Sequence, residues 1–188
     1  MTGLVQLKLS RASKTKFRMT IHIFLDRDGT LIKDTGYISE PSNVLILSGV
    51  VEGLRLLKSR EFHLHIVSNQ SGVARGKISM DQFRVVETKV KNVFLAKGLE
   101  FDSVNYCFHL PEDNCSCRKP AAGLIKKVAE EYKIQKSECA MIGNSIVDEG
   151  AARNFGIPFW YVTEHEDAFY KIAREVVNHF DDIKVRIK

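Results

Sequence analysis

Short apolar runs alternate with amphipathic segments along most of this chain, and three of the runs end on a polar residue able to do chemistry. Apolar runs of about four to eight residues bounded by turn signals read as buried strands, and apolar residues recurring every three or four positions read as helix. Strands are predicted at Ile21 to Asp26, His63 to Val67, Phe101 to Phe108, Cys139 to Ile142 and Ile157 to Val162. Helices are predicted at Val50 to Ser59, from Ser79 to a stop at Gly98, at Ala121 to Tyr132, at Asp148 to Phe155, and over 166–180. Ser79 reads as an N-cap, and Phe83, Val86, Val90, Val93 and Phe94 form the buried stripe behind it. Strand–helix alternation of this kind predicts an α/β fold, a three-layer sandwich around a central, mainly parallel sheet. At the end of the chain Ile183, Val185 and Ile187 alternate with Lys184, Arg186 and Lys188, which predicts a short edge strand.

Asp26, Ser68 and Asn144 each stand at or just past the carboxyl end of a predicted strand. Open parallel sheets bind ligands in the crevice at that end, so three distant segments are expected to meet there. The polar stretch from 27 to about 48, with Gly29, Gly36 and Pro41, is longer than an ordinary connection, which points to function. Asp26 and Asp28 could share the crevice if the chain turns at Gly29. One carboxylate could then attack phosphorus while the other donates a proton to the leaving oxygen and later activates water. Two such carboxylates and a phosphate need a counter-cation, and Mg²⁺ is a hard ion suited to them. An acidic turn after a strand is the plain alternative.

Composition narrows the classes. The chain has 188 residues, 44% of them hydrophobic and 27% charged, which suits one globular domain rather than a disordered or fibrous chain. No apolar run approaches the roughly 20 residues of a membrane span, and no secretory signal is apparent, so a cytoplasmic protein with no membrane partner is expected. The formal charge is +5. Lys8, Arg11, Lys14, Lys16 and Arg18 lie in the first 18 residues, which hold no acid; without them 23 basic residues face 23 acidic ones. The expected organisation is therefore a basic extension over 1–18 and a single neutral domain over 19–188. A neutral body offers no phosphate-tracking face, so no nucleic-acid partner is expected. No stretch between the motifs is long enough for a large cap domain, and a monomer with an open, loop-shaped site is expected.

Cys107, His109, Cys115 and Cys117 fall within eleven residues. Three thiolates and an imidazole suit tetrahedral Zn²⁺ and leave no position for water, so the cluster reads as structural. It directly precedes Arg118 and Lys119, so a bound ion would pin the loop that carries them. Unconnected free thiols are the alternative.

Phe24-Leu25-Asp26-Arg27-Asp28-Gly29-Thr30-Leu31, followed by Ser68, Lys119 and Gly143-Asn144-Ser145-Ile146-Val147-Asp148, resembles in order and spacing the four motifs of the haloacid dehalogenase superfamily. The resemblance covers about residues 20 to 162 and implies a Rossmann-like fold and an aspartate-nucleophile phosphotransferase. It implies that Asp26 is the nucleophile and Asp28 the acid/base, that Ser68 hydrogen-bonds the phosphoryl group, and that Lys119 stabilises its charge. Ser68 to Gly76, Asp34-Thr35-Gly36-Tyr37 and Cys117-Arg118-Lys119-Pro120 resemble the D-glycero-D-manno-heptose 1,7-bisphosphate phosphatases, which remove the 7-phosphate during assembly of activated heptose for lipopolysaccharide or related glycans. Histidinol-phosphate phosphatases share much of this pattern and the zinc loop. The resemblance implies a small phosphorylated sugar as substrate. Asp34, Thr35, Gly36, Tyr37, Asn69, Gln70, Ser71 and Ser145 would line it, and Arg118 or Arg75 would clamp a second phosphate. The plain alternatives are a surface cation for Arg75 and a loop-packing ring for Tyr37.

The pattern breaks at one position. The superfamily has a Mg²⁺-binding aspartate where this chain has Asn144. The implied Mg²⁺ ligands are then Asp26, Asp28, Asn144 and Asp148, with one anion fewer than usual. Asp148 either ligates the ion or caps the following helix. Either an active enzyme with a weakened metal site or a degenerate sugar-phosphate-binding paralogue fits such a change.

Overall fold

A computed structural model of the protein describes residues 19–163 and 165–186. The basic stretch 1–18 lies outside them. Five strands, β1 (His22–Leu25), β2 (His63–Asn69), β3 (Ser103–Cys107), β4 (Cys139–Gly143) and β5 (Phe159–Tyr161), alternate with five helices. The helices are α1 (Val50–Ser59), α2 (Met80–Leu95), α3 (Gly123–Tyr132), α4 (Ile146–Phe155) and α5 (Ala168–Arg186). The strands form one sheet in the order β3-β2-β1-β4-β5, and every neighbouring pair is parallel.

Helices cover both faces, which is why β1 and β4 are buried along their whole length. Ile23 and Leu25 of β1, with Leu64, Ile66 and Ile142, face α1, α2 and α5. Phe24, Val67, Cys139 and Met141 point the other way, onto α3 and α4. Burying a side chain such as Leu54 or Phe94 contributes about 1.5–3 kcal/mol. Local chemistry sets the helix ends as anticipated at α2. The Ser79 hydroxyl accepts from the Gln82 N–H at 3.1 Å, and the Gln82 side chain accepts from the Ser79 N–H at 2.8 Å.

Among the described residues the predicted edge strand at the end of the chain is absent, and Ile187 and Lys188 lie outside them. Residues 183–186 continue α5, whose buried stripe Phe169, Ala173, Val176, Val177 and Phe180 runs on to the half-buried Ile183. A period of two over six residues could not outweigh a helix already packed on α1 along a period of 3.6.

The chain leaves β1 in one direction toward β2 and β3 and returns on the other side as β4 and β5. The carboxyl ends of β1 and β4 therefore flank a switch point, where the strand order reverses and a crevice opens. Asp26, at the carboxyl end of β1, donates its backbone N–H to Ile142 O at 3.1 Å and so stays tied to β4.

Candidate active site

Beyond Asp26 the chain makes a tight turn. The Gly29 N–H meets Ile32 O at 2.8 Å, and the Leu31 and Ile32 N–H groups return to Arg27 O at 2.9 and 3.1 Å. Gly29 holds a φ of +77°, and a Cβ there would run into the Asn144 side-chain amide. Glycine is thus required twice, by the left-handed backbone and by the close approach of the β4 end.

Lys119 arrives from the β3–α3 connection and is buried, 3% exposed. Its ammonium donates to Asp26 Oδ1 at 2.6 Å and to Val67 O at 2.8 Å, and pairs with Asp148 Oδ1 at 2.6 Å. Burial opposes that charge, but the two carboxylates outweigh it and raise the Lys119 pKa. Burial pushes Asp26 up to about 6; Lys119 pulls it down while Asp148 and Asp28 push it further up. Asn69 holds the Lys119 backbone from both sides, accepting from its N–H and donating to its carbonyl, each at 3.0 Å.

Asp28 sits in a fork. The Arg27 Nε donates to Oδ1 at 3.0 Å and Nη2 to Oδ2 at 2.8 Å, and Gln70 Nε2 donates to Oδ2 at 2.6 Å. Gln70 also donates to Ser68 Oγ at 3.1 Å and accepts from Arg27 Nη2 at 3.0 Å. Arg27 was not expected in the site. Its only sequence signal is its place between Asp26 and Asp28, where a cation is bound to meet a carboxylate.

Asp148 is buried at 1% exposure. One oxygen faces Lys119, and the other accepts from the backbone N–H groups of Asn144 and Ser145 at 3.2 and 3.1 Å and from the Ser145 hydroxyl. Ser145 is the N-cap of α4 and Asp148 its third helical residue, a capping box. Asn144 Oδ1 has one weak donor, the Thr30 hydroxyl at 3.4 Å.

These groups line a crevice of about 370 Å³ together with Asp34, Gly36, Tyr37, Asn69, Ser71 and Gly72. Asp34 Oδ1 accepts the Gly36 N–H at 2.8 Å, which folds that loop, and the half-exposed Tyr37 ring packs on Gly72. Ile78 and Val147 add apolar wall that the sequence did not flag. Thr35, Arg75 and Arg118 are not brought to the crevice wall. Arg75 is exposed, and Arg118 donates to His109 O at 3.1 Å.

Behind Lys119, the Sγ atoms of Cys107, Cys115 and Cys117 and His109 Nδ1 all lie within 4.8 Å of one another. Cys117 Sγ is 3.3 Å from Cys107 Sγ, 3.4 Å from Cys115 Sγ and 3.2 Å from His109 Nδ1. The four are arranged to hold one ion. Burial and the neighbouring thiols push Cys107 up to about 12, so a thiolate there needs a cation beside it.

A family model described as polynucleotide kinase 3 phosphatase matches residues 21–180. The chain belongs to this family, within the haloacid dehalogenase superfamily. Among the relatives of this chain, the D-glycero-beta-D-manno-heptose-1,7-bisphosphate 7-phosphatase of Haemophilus influenzae is 38% identical over 132 residues, 67% of this chain and 72% of that protein. The enzyme of the same name from Escherichia coli strain K12 is 35% identical over 137 residues, 69% of this chain and 72% of that protein. Both are, by name, phosphoric monoester hydrolases. The crystal structure of the D,D-heptose 1,7-bisphosphate phosphatase from B. bronchiseptica, complexed with magnesium and phosphate, shares the fold at a TM-score of 0.77. It is 23% identical, and the match covers 85% of this chain and 99% of that one.

Proposed function

We propose that this protein is a Mg²⁺-dependent phosphatase that forms an aspartyl-phosphate, with D-glycero-D-manno-heptose 1,7-bisphosphate as substrate and the 1-phosphate as product. The observation that carries the reading is the convergence of Asp26, Asp28, Ser68 and Lys119 on one crevice at the carboxyl end of β1. The names of the relatives support the sugar.

Asp26 attacks the 7-phosphorus through a carboxylate oxygen as the P–O bond to the sugar breaks, and the carboxyl proton of Asp28 passes to the departing oxygen. Asp28 then removes a proton from a water that attacks the same phosphorus, freeing inorganic phosphate and Asp26. Lys119 keeps Asp26 ionised and faces the developing negative charge, while the Ser68 hydroxyl donates to a phosphoryl oxygen.

Three carboxylates, Asp26, Asp28 and Asp148, meet only Lys119 and Arg27, so the crevice carries an uncompensated negative charge that a cation would balance. Oxygens on Asp26, Asp28 and Asn144 suit Mg²⁺; Asp28 would offer its backbone carbonyl, because Arg27 and Gln70 engage its carboxylate, and both oxygens of Asp148 are already engaged by Lys119 and the helix cap. Bound there, Mg²⁺ supplies Lewis-acid stabilisation of the phosphoryl oxygens. The neutral Asn144 weakens its hold. The four ligands Cys107, His109, Cys115 and Cys117 fit a structural Zn²⁺ that pins the loop bearing Lys119. We further infer a single phosphatase domain over 19–188 that acts as a monomer, since one chain builds the whole crevice. No described helix is long and apolar enough to cross a membrane, and a thiol cluster set to hold Zn²⁺ accords with a reducing cytoplasm.

Phosphate release from heptose 1,7-bisphosphate, histidinol phosphate and a 3′-phosphorylated oligonucleotide, across a Mg²⁺ titration, tests the reading. Fastest release from the heptose is expected. Faster release from either of the others reassigns the substrate. No release from any at saturating Mg²⁺, and none on Asn144→Asp, leaves a sugar-phosphate-binding paralogue instead.

A further inference from the structure

Asp28 has four in-plane lone-pair positions on its two oxygens. Oδ2 receives two donors, Arg27 Nη2 and Gln70 Nε2, whereas Oδ1 receives one, Arg27 Nε. The carboxylate therefore has a single lone pair without a partner in the described chain, and it lies on Oδ1. We infer that Arg27 and Gln70 are positioning residues that lock the Asp28 carboxylate and make Oδ1 the oxygen that hands its proton to the leaving group.

The fork is itself held. Arg27 is 2% exposed and lies 5.9 Å from the centre of the Phe83 ring and 5.6 Å from that of Tyr106. Phe83 comes from α2 and Tyr106 from β3, so side chains of two elements pack against the guanidinium while Gln70 accepts from its Nη2. A planar guanidinium matched bidentately to a carboxylate sets the plane of that carboxylate as well as its place, which an ammonium cannot do.

The inference rests on the proposed phosphatase reading, and the chemistry separates the two. A general acid matters when the leaving group is a poor one, such as a sugar alkoxide, and matters little for p-nitrophenolate, which departs without a proton. The parameter kcat/KM reports on steps up to the first P–O cleavage, before water attacks. The test compares the fastest alkyl monoester of the substrate panel with p-nitrophenyl phosphate, for wild type, Arg27→Met, Arg27→Lys and Gln70→Leu.

Arg27→Met should lower kcat/KM for the alkyl ester by about 10- to 100-fold, within the range of general acid catalysis, and that for the aryl ester much less. Arg27→Lys keeps the charge and should stay impaired. Gln70→Leu, a milder change to the same fork, should move the ratio in the same direction and carries the test if Arg27→Met does not fold. Equal losses on both esters, or restoration by Arg27→Lys, would overturn the inference while leaving the phosphatase reading intact. A wild type that hydrolyses neither ester removes that reading, and the inference with it.

Discussion

At the level of single residues, the site sets opposite charges at contact distance in a nearly dry place. Lys119 and Asp26 are both largely buried and meet at 2.6 Å. Neither could be charged alone at that depth, since an isolated ion in the interior costs several kcal/mol. Lys119→Met should therefore abolish turnover and also lower stability by about 3–5 kcal/mol, the cost of stranding buried charge, read as a fall in the urea midpoint. Asn144 makes the converse change, removing an anion from an acidic crevice. Asn144→Asp should shift the Mg²⁺ activation curve to lower concentration by about tenfold, equivalent to roughly 1.4 kcal/mol, and a curve that does not move would exclude Asn144 from the metal's surroundings.

A second group of residues lies at the opposite end of the sheet. His22 Nδ1 and His65 Nε2 are 2.9 Å apart, and the His22 ring stacks on His63. Burial, then the neighbouring imidazoles, lowers His22 to about 4 and His65 to about 3, while Asp102 pulls each upward. Both therefore take up protons more readily when unfolded, near pH 6.5. Their neutral burial is fully compatible with folding above that value, and stability falls as pH drops from 6.5 toward 4. At pH 5 each costs roughly 2 kcal/mol relative to pH 7. Urea midpoints from pH 7 to 5 should show this slope, and a His22→Gln, His65→Gln double variant should flatten it.

At the level of elements, close approach decides more than propensity. Gly53 lies inside α1, where alanine would normally gain about 1 kcal/mol of helix propensity. A Cβ there would come to 2.6 Å from the Phe169 ring and 3.3 Å from the Ala173 methyl on α5. Gly53→Ala should therefore destabilise, by about 1–3 kcal/mol, with the contact between α1 and α5 forced apart. A rise in melting temperature would show that Phe169 can swing aside. The β3–α3 connection behaves as an element too, because the thiol–imidazole cluster and Asn69 hold it at two points. Chelator treatment followed by Mg²⁺ alone should leave activity lost, and Zn²⁺ should restore it. Full recovery with Mg²⁺ alone would detach the cluster from the site.

At the level of the whole molecule, one sheet and its switch point organise the chemistry. Strand order places the ends of β2, β1 and β4 side by side, and those ends with the segments that follow them supply every lining group of the crevice except Lys119. Every group named on the crevice wall lies between Asp26 and Asp148. A protein lacking residues 1–18 should release phosphate at the full-length rate, checked by the same assay at low and high salt.

Much of this was legible in the order of residues. The five strands, five helices and the strand-end positions of Asp26, Ser68 and Asn144 follow from hydrophobic period and turn chemistry, which are local and act on the chain a few residues at a time. The clustering of Cys107, His109, Cys115 and Cys117 follows for the same reason, because their separations are short. Partner choice is not local. Lys119 reaches Asp26 across 93 residues, Gln70 reaches Asp28 across 42, and Asn69 holds Lys119 across 50. Only the tertiary structure gave Asn69 and Gln70 a bracing role beside their place on the crevice wall, drew Arg27 into the site and left Arg75 outside it. Only packing on α1 made residues 183–186 helix instead of strand. The sequence determined which groups stand at the strand ends, because burial pattern dictates where a strand stops; the fold decided what each one touches, because that depends on segments whose distance in space no local pattern encodes.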